Sequence, residues 1–148
     1  MHETVVIRKT LAVGSDRVWT AIAGVGGLDR WFPIISACRV EGEGVGALRI
    51  LTLRDGGEMR DWIVEIDDAA RRLRYERRVL PFPVENYRGA VLVRSAARGA
   101  DVSWTIDYDV AEPARAQISA LVFSAISDGL DGLEKELAAQ NPTAGRTG

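Results

Sequence analysis

The spacing of hydrophobic and polar positions changes several times along the chain, and each change marks an element. Thr4 to Val13 is rich in β-branched residues and predicts a strand. Ser15 is a good N-cap, and Val18, Trp19 and Ile22 after it fall at helical spacing. Gly24, Gly26 and Gly27 break that helix; Leu28 to Phe32 adds one short turn, stopped by Pro33. Ile34 to Glu41 reads as a strand, followed by a turn marked by Gly42, Gly44 and Gly46. Ala47 to Arg54 and Met59 to Asp67 are strands joined by Asp55-Gly56-Gly57-Glu58, a hairpin signal. Asp67-Asp68 makes the next turn. Arg72 to Leu80, Val84 to Ser95 and Val102 to Val110 complete the strands, with Pro81 and Pro83 in one connection and Gly99 in the other. Glu112-Pro113 opens an amphipathic helix of about 25 residues, because proline suits the first helical position. Its apolar stripe runs through Ile118, Leu121, Val122, Ala125, Ile126, Gly129, Leu130, Leu133 and Leu137. Asn141 to Gly148 has no apolar anchor and reads as a disordered tail.

The order is therefore strand, two short helices, six strands, long helix. An α+β domain of this order buries the long helix in the concave face of a curved antiparallel sheet. A sheet that curved leaves volume beneath the helix, where a ligand fits.

Composition narrows the chemistry. The 148 residues carry a formal net charge of −2, which argues against a general nucleic-acid binder. One cysteine, Cys38, allows no internal disulfide and no cysteine-rich zinc site. One histidine, His2 near the start of the chain, removes Ser-His-Asp hydrolysis, Cys-His proteases and His-cluster metal sites as default readings. No metal or cofactor is expected. The basic residues are 17 arginines against two lysines, Lys9 and Lys135, so Schiff-base chemistry has few candidates. No apolar run reaches the roughly 18 residues of a membrane span, and Met1-His2-Glu3 lacks a signal-peptide pattern. The expectation is a cytoplasmic protein without stable membrane insertion; its oligomeric state stays open.

Several motifs now combine. Ala12-Val13-Gly14-Ser15-Asp16-Arg17-Val18-Trp19 resembles the first-helix signature of the START/Bet v 1-like (SRPBCC) superfamily. Gly27 to Pro33, Cys38 to Glu41, Gly46 to Arg49 and the Asp67-Asp68 turn resemble its bacterial polyketide cyclase/dehydrase branch, as do Asn86-Tyr87 and the Trp104 strand. The resemblance spans about residues 4–138, each motif being degenerate and their order fairly specific. It implies a helix-grip fold: a curved seven-stranded antiparallel sheet around the C-terminal helix, with two short helices after the first strand. Residues 1–140 would form the single domain and 141–148 the tail. The implied partner is a small hydrophobic or amphipathic molecule in a central cavity; a particular reaction is not implied.

Strand alternation assigns faces. Val102, Trp104, Ile106 and Tyr108 should point inward. Tyr87, Gly89, Val91 and Val93 do likewise, with Glu85 in the same set near the cavity mouth. On the helix, Leu121, Ala125 and Gly129 form one stripe, whose small residues either leave room for a ligand or allow close packing on the sheet. Five arginines crowd Arg71 to Arg78. Arg72, Arg74 and Arg78 alternate with inward Leu73, Tyr75 and Val79, as a solvated face requires. Arg77 falls on the inward set, where a guanidinium needs an acidic partner or an anionic ligand unless it snorkels to the rim. Arg49 shares a face with Leu51 and Leu53, and Leu48, Ile50 and Thr52 share the other; both faces are apolar enough to be ambiguous, and the resemblance places Arg49 inward beside an acidic position, here Asp61. A symmetric turn at Gly56-Gly57 would set Arg49 opposite Val64; a loop one residue longer or shorter places Asp61 and Ile63 there. The second register gives Arg49 a partner and is favoured, as a structural salt bridge first and a ligand contact second. Trp31 and Phe32 are candidates for the cavity mouth, as lining or as plug. Cys38 reads as an inert buried thiol, and Lys9 as a strand-end lysine reaching solvent.

Three functions follow. The leading one is a binding protein for a small apolar or aromatic molecule, with a carboxylate or phenolate near Arg77 or Arg49. The second is a polyketide aromatase/cyclase or dehydratase, in which arginine steadies an enolate and a tyrosine or Asp61 moves the proton. The third is a ligand-gated interaction module closing at Arg54–Glu58 and Pro81–Glu85, as in plant abscisic acid receptors, which the chain also resembles. Against it, the first loop is short, and Phe32 stands where those receptors hold a lysine.

Overall fold

The computed structural model describes residues 1–140, so the expected tail lies outside the described residues. Strand β1 (His2–Leu11) leads into helices α1 (Ser15–Ala23) and α2 (Leu28–Trp31). Strands β2 (Ile35–Glu41), β3 (Leu48–Leu53), β4 (Glu58–Asp67), β5 (Arg72–Val79), β6 (Val84–Ala96) and β7 (Gly99–Val110) follow, and α3 (Glu112–Ala139) ends the described chain. All strand pairs are antiparallel, in the order β1-β7-β6-β5-β4-β3-β2. Only one connection leaves the meander: the two short helices carry the chain from one edge of the sheet, β1, to the other, β2. Together with α3 this is the helix-grip arrangement.

Local chemistry explains most of these elements. Alternation holds on β7, where Val102, Trp104, Ile106, Tyr108 and Val110 are buried and the residues between them are more exposed. Pro113 at the start of α3 removes a donor that would be unpaired there. Ser15 is the first residue of α1 rather than its cap; Gly14 takes that place. The Ser15 hydroxyl instead pairs with Ser95 Oγ at 3.0 Å and accepts from Arg71 Nη1 at 2.8 Å, tying α1 to the sheet.

Helix α3 is fixed more firmly at its C-terminal end. Lys9 Nζ donates to Asp131 at 2.6 Å, so this lysine ties β1 to the helix rather than merely reaching solvent. The Ala12 amide donates to Glu134 at 2.6 Å, Arg30 Nε to Glu136 at 2.9 Å, and Arg17 Nη2 to the Leu137 carbonyl at 2.6 Å. Two glycines let α2 approach: a methyl at Gly132 would overlap the Trp31 carbonyl, and one at Gly129 would overlap the Phe32 ring. The clash at Gly132 is with backbone, which has little freedom to yield. Gly132→Ala is therefore expected to destabilise the fold by about 1–3 kcal/mol, the usual range for overpacking, read as a lower urea midpoint.

Candidate functional site

The polar centre of the interior is built across three adjacent strands. Asp61 on β4 faces Arg49 on β3 and Arg77 on β5. The first pairing follows from the hairpin: its loop occupies Leu53 to Gly57, with Gly56 at φ +95°, and sets Leu51 opposite Met59 and Arg49 opposite Asp61. The second depends on an irregularity: Arg60 faces Val79 and Asp61 faces Arg77, so Arg78 has no opposite residue.

Asp61 has no exposed side-chain surface, Arg49 has 3% and Arg77 10%. Arg49 Nε donates to Asp61 Oδ2 at 3.0 Å. Arg77 clamps the same carboxylate with two donors, Nε to Oδ1 at 2.6 Å and Nη2 to Oδ2 at 3.1 Å. Arg49 Nη1 donates to the Val25 carbonyl at 3.0 Å. Val25 is a β-branched residue at φ 71°, a costly conformation that this bond helps to hold. Arg49 Nη2 lies 3.0 Å from Asp61 Oδ2 but makes no well-directed hydrogen bond.

Two positive groups thus share one negative group away from water. Burial alone would raise the pKa of Asp61, but Arg77 and Arg49 outweigh it and hold the carboxyl below its ordinary value. Burial would lower the pKa of Arg77; Asp61 reverses that, and the guanidinium stays charged. The excess positive charge is faced by aromatic rings. The Arg49 and Arg77 guanidinium carbons lie 5.0 and 5.5 Å from the Tyr75 ring centre, and Arg77 lies 4.9 Å from that of Tyr87. Tyr75 can lie flat here because Gly89, its cross-strand neighbour, has no side chain: a methyl there would overlap the phenol.

Beside this centre lies a small apolar cavity under the N-terminal half of α3. It leaves about 40 Å³ for the centres of water-sized molecules. Of the residues singled out by sequence, Tyr75, Arg77, Tyr87, Trp104, Leu121, Ala125 and Phe32 line it. The Phe32 ring lies inside, edge-on to Trp104 at 5.8 Å, rather than at the mouth. Trp104 Nε1 donates to the Tyr75 hydroxyl at 3.2 Å. Tyr87 stacks on Tyr108 at 5.9 Å, and its own hydroxyl makes no hydrogen bond among the described residues. Burial raises the Tyr75 and Tyr87 pKa values more than Arg77 lowers them, so both phenols keep their protons.

The other expected residues are elsewhere. Arg49 and Asp61 sit behind Tyr75 and Arg77, buried but outside the cavity lining, as do Leu51, Leu53, Gly89, Val91 and Ile106 in the surrounding core. Tyr108 is fully buried behind Tyr87, its hydroxyl 3.0 Å from Ser119 Oγ, which in turn donates to Glu3 at 3.0 Å. Gly129 serves close packing against Phe32, not ligand space. Trp31 is buried on the other side of α2, because successive residues of a helical turn point about 100° apart. Glu85 is a correction: it is exposed. Two residues of β6, Asn86 and Tyr87, oppose the single Tyr108, and Asn86 takes φ 54°. This bulge brings Val84 and Tyr87 both inward and turns Glu85 to solvent. Strict alternation missed Val84 for the same reason. It also missed Phe82 and Ile34, which form the mouth with Leu121. Cys38 is only part-buried, and burial raises its thiol pKa, so it is a poor nucleophile.

The family model described as polyketide cyclase/dehydrase and lipid transport matches residues 2–138. The chain belongs to that family. Among solved structures, it is similar to the Zhui aromatase/cyclase of a Streptomyces species, at TM-score 0.84 and 19% identity, covering 98% of this chain and 99% of that one. A protein of Thermobifida fusca gives TM-score 0.78 and 27% identity over 90% and 91% of the two chains. Norcoclaurine synthase of Thalictrum flavum gives 0.77 and 16% over 94% and 88%. No curated protein is a significant sequence match. No described helix is long and apolar enough to cross a membrane.

The ion cluster makes a stability prediction for this family member. Asp61→Asn leaves two buried guanidiniums without their counter-charge and is expected to cost about 3–5 kcal/mol at neutral pH. Because the folded-state pKa of Asp61 is depressed, its contribution is complete above the unfolded value of about 3.9 and fades as pH falls toward the folded one. Denaturation followed from pH 7 downward should therefore show the gap between wild type and Asp61→Asn closing only below about pH 4.

Proposed function

We propose that the protein binds a small hydrophobic or aromatic molecule in the cavity beneath α3. The observation that carries this is the lining: a largely apolar, partly open surface in which Arg77 is the one charged side chain among the described residues. Apolar area supplies affinity, and a few polar groups orient the ligand. Here those groups are the Arg77 guanidinium and the Tyr87 hydroxyl. Ligand would enter past Ile34, Phe82 and Leu121, where the wall is apolar and partly exposed. The single free thiol, Cys38, suits the reducing cytoplasm as the setting.

A second reading is an aromatase/cyclase or dehydratase, favoured by the family and by the placing of Arg77 next to a protonated tyrosine. In that reaction Arg77 would steady an enolate oxygen, and Tyr87 would give it a proton. The similarity to an enzyme of that name supports the fold and leaves the chemistry to be tested.

Native mass spectrometry of the purified protein should show a bound small molecule. Arg77→Leu should weaken its retention by about tenfold or more, the effect of one charge-assisted hydrogen bond. Unchanged affinity for every bound molecule would remove Arg77 from the site. Turnover of a poly-β-ketone mimic, lost in both Arg77→Ala and Tyr87→Phe, would establish the second reading; binding without turnover leaves the first.

A further inference from the structure

We infer that the cavity selects a molecule with one six-membered ring and a single negative charge, the anionic group meeting Arg77 and Tyr87. This rests on the binding reading above and adds a charge, a polarity and a size to it.

The charge follows from counting groups in the buried cluster. Arg49 and Arg77 bring two positive charges and Asp61 one negative. One positive charge is left over, in a place where an unpaired ion is expensive. Tyrosine rings offset part of that cost, but a ring face carries no net charge. The single negative charge of Asp61 is already shared between Arg49 and Arg77. The cluster therefore favours one more anion, and the side open to it is the cavity side, where Arg77 is part of the lining.

The polarity follows from the donors. Arg77 spends Nε and Nη2 on Asp61, while Nη1 makes no hydrogen bond among the described residues, in a side chain that is part of the cavity lining. The Tyr87 hydroxyl is likewise free to donate. Among the described lining residues there is no carboxylate, imidazole or amide to receive a proton donor from the ligand. An oxyanion is matched twice; an ammonium group would meet a cation.

The size follows from the free volume. About 40 Å³ for water centres is room for roughly three waters at 10–15 Å³ each. That is less than the roughly 150 Å³ cavity that holds a benzene ring, so one six-membered ring, entering as the partly exposed mouth side chains give way, is the largest group the lining admits. A fused polycycle or a long acyl chain would have to displace Phe32, which is wedged between Trp104 and Gly129. The walls also suit a ring: Phe32, Phe82, Tyr75, Tyr87 and Trp104 are half of the ten aromatic residues of the chain.

The test is calorimetric titration of the intact protein with benzoate, benzyl alcohol, benzylamine, 2-naphthoate and palmitate. Benzoate should bind about tenfold or more tighter than benzyl alcohol, with benzylamine weaker still. It should also bind tighter than 2-naphthoate or palmitate. In Arg77→Leu, which leaves a neutral Arg49–Asp61 pair, the benzoate preference should fall to about threefold or less. Tyr87→Phe keeps the ring and the ion cluster, and should lose part of the preference even if Arg77→Leu does not fold. Equal affinity for benzoate and benzyl alcohol, or tighter binding of palmitate, would overturn the inference while leaving a binding cavity. Failure of all five probes to bind would overturn the cavity reading and this inference with it.

Discussion

A single buried carboxylate, shared by two guanidiniums, is the constraint on which the interior depends. Asp61 stands on the strand between those of its partners, so the ion cluster is also a cross-link over β3, β4 and β5. Its reach is longer than its size suggests. Through Arg49 it holds the Val25 carbonyl and so the loop between α1 and α2, at a residue whose backbone would otherwise relax. Through Arg77 it sets a positive charge at one end of the cavity. Replacing all three residues by well-packed apolar ones would be a smaller perturbation than removing Asp61 alone. The cluster is thus better understood as fixing geometry and polarity than as a source of stability.

The opposite end of the cavity is set by absence of side chain. Gly129 and Gly132, three residues apart and on one side of α3, let α2 come close enough for the Phe32 ring to enter the interior. Gly89 does the same for Tyr75 on the sheet. Charge and ring therefore occupy fixed places: guanidinium and phenols on β5 and β6, the Trp104 indole beside them on β7, and the Phe32 ring entering from α2. The space left is what these large side chains fail to fill. Its dimensions are a packing result, and they respond to changes of one methyl group at the glycines.

How far the sequence disclosed this follows from which rule governed each part. Elements were legible because period and punctuation agree: apolar alternation between glycine turns for strands, a three-and-four stripe after Glu112-Pro113 for the long helix. The Arg49–Asp61 pairing was legible through the resemblance together with an arginine's need of a counter-charge, but the loop that makes it, Leu53 to Gly57, is longer than either turn the glycines at 56 and 57 suggested. Arg77 was legible as an anomaly on an apolar face, but its partner was not. That partner lies on the neighbouring strand and meets it only because the pairing skips Arg78. Glu85 was misassigned for the same kind of reason. One inserted residue on β6 reverses every face before it, and no local pattern marks it apart from Asn86, a residue tolerant of positive φ. The Gly129 stripe left two meanings open, and only the position of Phe32 decides between them.

The groups around the cavity also limit what chemistry it can perform. Proton abstraction needs a base with a free lone pair and a pKa near the working pH. Asp61 is badly placed for that: it lies outside the cavity lining, accepts three hydrogen bonds from two arginines, and is kept ionised and weakly basic by them. Tyr75 and Tyr87 are held protonated, so they donate and do not accept a proton at neutral pH. His2 lies at the far edge strand, engaged with Asp107 and Asp109 on the outer face of the sheet. What remains is a site able to stabilise a negative oxygen by charge and by two donors, with no protein base facing it among the described residues. Under the proposal, such a site would recognise an anion, or would lower the barrier for a substrate that enolises by its own acidity. It is poorly equipped to begin a reaction that starts with removal of a carbon-bound proton. Binding, as proposed, asks of these side chains only what they offer, whereas the proposed cyclase reaction would draw its base from the substrate or from water.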